Sequence, residues 1–182
     1  MFSTVFVAGY GNSTEGHWQN SWCKITKNSY WVEQEDWNNP NCVDWIESLN
    51  ALVQSIDGPI LLVSHSLGGS TIVEWSKKYS ANIIGAFMVA VPDVQCEHFP
   101  KEISGYQLPP LEKLPFPSML LASTNDPYST LDRSKYFVDI WGSDLTIVGD
   151  LKHVNADSNI GEWSYGLNLL NKFITSIDSK ID

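Results

Sequence analysis

Ile60-Leu61-Leu62-Val63-Ser64-His65-Ser66-Leu67-Gly68-Gly69 is the stretch on which the fold turns. Its apolar opening reads as a strand covered on both faces, as in a parallel sheet flanked by helices. A small-x-Ser-x-Gly turn follows, and then an amphipathic run predicted to be helical over 67–79. Strand, sharp turn and helix in that order form a nucleophile elbow, in which Ser66 occupies a strained position and its hydroxyl stands clear of the sheet. Small residues are required two before and two after the serine, because strand and helix pass closely there. Gly68 meets the requirement, and Ser64 stands where a glycine is more usual. The free N–H groups at the start of that helix make the Leu67 amide a natural donor to an oxyanion.

Outward from the elbow, short apolar runs alternate with longer amphipathic ones, which predicts an α/β fold with a mostly parallel sheet. Strands are expected at 4–8, 30–34, 60–64, 83–91, 118–122 and 145–148. Helices are expected from a cap at Asn41 to Ile56, over 67–79, over 130–141 with Gly142 ending it, and over 161–177. One segment breaks the pattern: residues 92–117 hold six of the nine prolines, a density that neither a helix nor a central strand absorbs. An irregular insert of that length suits a lid or a binding loop.

The chain has 182 residues, a length that suits one domain spanning 1–182. A chain of this size buries roughly 70% of its unfolded surface and needs no disulfide or metal staple. Its net charge of −10 disfavours nucleic acid and anionic membrane surfaces as partners. A hydrophobic content of 43% argues against disorder, and no apolar run approaches the ~20 residues of a membrane span. The opening Met1-Phe2-Ser3-Thr4-Val5-Phe6-Val7-Ala8 reads as a first strand and not as a signal peptide. The three cysteines, Cys23, Cys42 and Cys96, lack metal-ligand spacing. The expectation is a reduced, cytoplasmic protein without metal or cofactor.

A serine hydroxyl needs a base, and the base an orienting acid. Of four histidines, His65 adjoins the serine and is expected to point away from it, His17 lies in the first loop, and His98 lies in the Pro-rich insert. His153 follows the last predicted strand, where the order Ser…Asp…His puts the base. Asp126, after the fifth strand, is the preferred acid, and Asp150, three residues before His153, is its rival. A second oxyanion donor is expected from Ala8-Gly9-Tyr10-Gly11-Asn12, at the Tyr10 amide. The strand ends that carry these groups are where open α/β sheets place their sites. His17, Trp18 and Asn155 are candidates to line a substrate pocket.

These residues resemble the small bacterial α/β-hydrolases grouped with YdeN and retinoblastoma-binding protein 9, a family of serine hydrolases. The resemblance runs through Val7–Ser13 with Gly16-His17-Trp18-Gln19, Gln34-Glu35-Asp36-Trp37 with Asp44-Trp45, and Ser64-His65-Ser66-Leu67-Gly68. It continues through Val91-Pro92-Asp93-Val94, Pro115-Phe116-Pro117-Ser118, 123–128 and 153–163. It implies a Ser66–Asp126–His153 triad, a compact hydrolase sheet, and hydrolysis of small esters or related acyl compounds. The family usually has a glycine where Lys152 stands, and Gly or Ala where Ser64 stands.

The combined expectation is a doubly wound α/β-hydrolase with strand order 2-1-3-4-5-6 and helices on both faces, acting on a small acyl substrate. Amidase or aminopeptidase activity on the same residues is the near alternative. A catalytically silent binding protein, or a flavodoxin-like domain holding a phosphate at the first loop, are the alternatives from other classes.

Overall fold

In the computed structural model, which describes residues 2–107 and 112–178, the apolar runs pair as β1 (Ser3–Val7), β2 (Ser29–Trp31), β3 (Ile60–His65), β4 (Ile83–Val89), β5 (Ser118–Ala122) and β6 (Asp144–Ile147). The sheet is parallel throughout, with order β2-β1-β3-β4-β5-β6. Helices α1 (Trp18–Ile25), α2 (Cys42–Gln54), α3 (Leu67–Lys78), α4 (Leu131–Trp141) and α5 (Ser164–Asp178) cover it.

The period-2 alternation of the strands divides the core. Along β3, Ile60 and Leu62 face a cluster with Leu49 of α2, Ile72 of α3 and Phe137 of α4. Leu61 and Val63 face the opposite cluster, with Trp18 and Trp22 of α1 and Phe173 of α5. Two and three helices therefore lie on opposite faces, as the right-handed crossovers of a doubly wound sheet require. Among the described residues, no helix is long and apolar enough to cross a membrane.

Several boundaries differ from the sequence expectation. β2 is three residues long, and β4 stops at Val89 because Ala90 turns to φ +53°. α1 was not expected at all. Its sequence, WQNSWCKI, consists mainly of weak helix formers, and its N-cap is a histidine, which is not a usual capping residue. Tertiary burial of Trp18, Gln19 and Trp22 holds it in place. The Asn41 cap is as expected, its side chain accepting from the Val43 and Asp44 amides. Of the Pro-rich insert, Pro109 and Pro110 lie outside the described residues. The rest runs irregularly over α2 and α3, with Ser104 bridged to Asn41 and the Tyr106 hydroxyl 2.7 Å from Thr71 Oγ1.

Candidate active site

β3 delivers Ser66 at φ +53°, ψ −127°, a backbone position that only a well-braced turn holds for a residue with a side chain. The brace is the Ser66 amide, which donates to Val89 O at 2.8 Å, and the close approach of the end of β1 that Gly9 and Gly68 allow. A Cβ on Gly68 would lie 2.1 Å from Val7 O, and one on Gly9 would lie 2.8 Å from Ser66 Cβ. The requirement for small residues around the serine is thus met by contact with the end of β1. Ser64 carries a cost in that position: it is fully buried and its hydroxyl has no hydrogen-bond partner among the described residues.

Ser66 Oγ lies 2.7 Å from His153 Nε2. On the far side of the ring, His153 Nδ1 lies 3.0 Å from both oxygens of Asp126. A carboxylate only accepts, so Nδ1 carries the proton and Nε2 presents its lone pair to the serine hydroxyl. Asp126 is held in turn by the Tyr128 amide, which donates to Oδ1 at 2.9 Å, and the Tyr128 ring packs edge-on to His153 at 4.6 Å. Asp150 does not take the orienting position: its carboxylate accepts from the Thr124 hydroxyl instead. The hydrogen bonds of the described residues leave the N–H groups of Tyr10 and Leu67 uncommitted, and both residues line the cavity with Ser66. A hydroxyl, a base with its lone pair aimed at that hydroxyl, and two free amides are the parts that acyl transfer needs.

A cavity of about 250 Å³ opens over these groups. It is lined by His17 and Asn155 and not by Trp18, which is fully buried in the core. The placement of Trp18 in the pocket is therefore corrected: as the first residue of α1 it turns inward, and its indole N–H donates to Val154 O at 2.7 Å. Asn155 Oδ1 accepts from the Asp157 amide, capping the single 3₁₀ turn that follows. His17 Nδ1 accepts from the Gln19 amide and caps α1, while its Nε2 is buried without a partner among the described residues. Burial, with His153 adding to it, pushes the His17 imidazole down to about 4, so it is neutral at physiological pH. The cavity lining includes Glu15 and Asp157 but no lysine or arginine, which disfavours a phosphate ligand.

Two further residues matter that the sequence reading passed over. His65, expected only to point away from Ser66, packs 5.1 Å from the His153 ring and donates through Nε2 to the His153 carbonyl at 2.9 Å. Burial, then the nearby His17 and His153, hold its imidazole well below the usual histidine range. Gln19, fully buried, donates to Val7 O and Val63 O at 3.1 Å each, bolting β1 to β3 just below the elbow. Lys152, where a glycine is usual in the family it resembles, adopts φ +49°, the left-handed conformation that favours glycine.

The fold is that of an α/β-hydrolase. The serine hydrolase family profile matches residues 4–172, and the chain belongs to that family. Among solved structures it is similar to a YdeN-like hydrolase of Pectobacterium atrosepticum, at 25% identity and TM-score 0.85 over 97% of this chain and 92% of that one. It is also similar to the ydeN gene product of B. subtilis, at 16% identity and TM-score 0.77 over 96% and 100%. The carboxylesterase CesB of Bacillus subtilis shares the fold at 15% identity and TM-score 0.66 over 94% and 83%. No curated protein matches by sequence. The chain is accordingly a serine hydrolase enzyme.

Proposed function

We propose that Ser66, His153 and Asp126 form a catalytic triad that hydrolyses small carboxylic esters through an acyl-enzyme. The observation that carries this reading is the unbroken line from Ser66 Oγ through His153 to Asp126, at 2.7 and 3.0 Å. As Oγ attacks the ester carbonyl carbon, its proton passes to His153 Nε2, and Asp126 stabilises the imidazolium so formed. The carbonyl oxygen gains the negative charge and is received by the Leu67 and Tyr10 amides. Collapse breaks the bond to the alcohol oxygen, which takes the proton from Nε2 and leaves. Water then repeats the sequence, delivering the acid and restoring Ser66. Nothing in this cycle calls on a metal or an organic cofactor. The small cavity supports an ester over a peptide, and the esterases among its structural neighbours favour the same choice. We place the enzyme in the cytoplasm, where its three free cysteines would stay reduced.

Ser66→Ala is expected to lower turnover of p-nitrophenyl esters on the order of 10⁶-fold and to abolish labelling by a fluorophosphonate. Full labelling of that variant would remove Ser66 from the role.

A further inference from the structure

The cavity over Ser66 has two unlike walls, supplied by different parts of the chain. One is polar: Asn12, Thr14 and Glu15 from the loop after β1, with Asn155 and Asp157 from the loop that carries His153. The other is apolar: Phe99, Pro100 and Ile103 from the Pro-rich insert. They approach from opposite faces of the sheet. The His153 loop is tied to α1 through Trp18 and packs Val154 into the α1–α5 core. The insert is tied to α2 through the Ser104 carbonyl, which accepts from the Cys42 amide at 3.0 Å, and to α3 through Tyr106. Ser66, at the end of a central strand, lies between them.

The chemistry gives these walls a direction. In ester cleavage the proton held by His153 must reach the departing alcohol oxygen, so the alcohol lies on the imidazole's side of the carbonyl carbon. The acyl substituent, bonded to that same carbon, is directed to the other side. We infer that residues 94–103 form a strap that gauges the acyl chain, whose apolar length lies along Phe99, Pro100 and Ile103. The leaving alcohol faces Asn155 and Asp157, which favour a hydroxylated or otherwise polar group that carries no negative charge. This rests on the esterase reading.

The strap suits such a gauge. Asp93, at its root, makes a two-point ion pair with Arg133, Nε to Oδ2 at 2.7 Å and Nη2 to Oδ1 at 3.2 Å. Ser104, at its end, donates its amide to Pro40 O at 2.9 Å. Between those anchors its side chains are free to set the depth of the wall without disturbing the catalytic groups.

The test is the acyl-length profile of kcat/KM for p-nitrophenyl esters from acetate to dodecanoate, measured on wild type, Phe99→Ala and Ile103→Ala. A parallel series of p-nitrophenyl alkylphosphonates, read as inactivation rates, reports acyl selection without deacylation. Shortening either side chain is expected to move the optimum toward longer chains and to raise the longest-to-acetate ratio about tenfold, the scale of one or two methylenes in an apolar pocket. Acetate esters of varied alcohols are expected to rank as in wild type. An unchanged acyl profile in both variants, or a change confined to the alcohol series, overturns the inference while leaving the esterase intact. Wild-type protein that neither turns over the esters nor reacts with the phosphonates removes the esterase reading itself, and the gauge with it.

Discussion

Two irregular segments meet at the cavity, and they are held in opposite ways. Residues 149–155 carry His153, the proposed base, and the surrounding structure grips them almost residue by residue. Gly149 O accepts from the Thr124 amide at 3.0 Å, the Leu151 amide donates to Ser123 Oγ at 2.9 Å, and the Lys152 amide donates to Asn125 Oδ1 at 2.7 Å. His153 O and Val154 O accept from the His65 and Trp18 rings. These bonds hold Lys152 and Val154, on either side of the base, at φ +49° and +52°, a conformation that costs on the order of 1–3 kcal/mol at each non-glycine residue. Residues 94–103 form the apolar wall, and among the described residues their hydrogen bonds run only to one another and to Asp93. Proton transfer tolerates little error in distance, whereas an apolar wall needs only the right volume. The fold spends its buried hydrogen bonds on the first and leaves the second to turns.

The largest effect should come from the carboxylate that completes the gripped segment. Asp126→Asn presents an amide where His153 Nδ1–H needs an acceptor of fixed charge, and kcat is expected to fall about 10⁴-fold. Asp150→Asn, at the end of a strand three positions from that of Ser66 and tied to Thr124, is expected to stay within about threefold of wild type, since an asparagine oxygen still accepts from the Thr124 hydroxyl. Steady-state kinetics on the two variants check the ranking. A larger loss at Asp150 would show that the grip on residues 149–155 acts through Asp150 and not through Asp126.

The difference between the segments also marks what could be read from the chain before folding. The elbow was legible because strand, small-residue turn and helix are contiguous, and the sheet order followed from its alternation. His153 is proposed from its place after the last strand and Asp126 preferred from its place directly after the fifth; the structure adds that the Asp150 carboxylate lies against the Thr124 hydroxyl and not against the His153 ring. The grip itself was illegible. Its key donors, His65 and Trp18, lie 88 and 136 residues from their acceptors. Nothing local marks a tryptophan in an unexpected helix as a support for a distant carbonyl, which is why Trp18 was assigned to the pocket. His65 was expected to point away from Ser66 because it adjoins it, and nothing local marks it as the donor to a carbonyl 88 residues on.

A second prediction follows from the buried imidazoles on the gripped side. His17 titrates near 4 in the fold because of burial and of His153, and near its ordinary 6.5 when unfolded. Between those values the unfolded chain binds the extra proton, so stability rises with pH there and is lost as pH falls from about 6.5 to 4. The loss from His17 alone is on the order of 3 kcal/mol, and His65, lowered in the same direction for the same first cause, adds to it. His17→Asn keeps a capping oxygen for α1 but carries no titrating ring. Urea unfolding at pH 7, 6, 5 and 4.5 should therefore give a shallower acid decline for His17→Asn than for wild type. Equal slopes would mean that the His17 imidazole does not couple folding to pH.

The smallest effects test the contrast by removing one side chain that holds the gripped segment and one that the strap carries. Ser123 Oγ accepts the Leu151 amide and lies 3.1 Å from Gly149 O, so a single hydroxyl serves both a donor and an acceptor of the gripped loop. Ser123→Ala leaves those two backbone groups without that partner, and the side chain is too deeply buried for water to replace it readily. The expected loss is about 1–2 kcal/mol of unfolding free energy, together with a fall in kcat, since Leu151 is two residues from the base. Glu97→Ala removes an exposed side chain from the strap, and is expected to change stability by less than about 0.5 kcal/mol with kcat unaltered. Denaturant midpoints and kinetics on the pair decide the matter. If Glu97→Ala proved as costly as Ser123→Ala, the strap would be under the same structural constraint as the base loop, and the separation between a rigid catalytic side and a free specificity side would not hold.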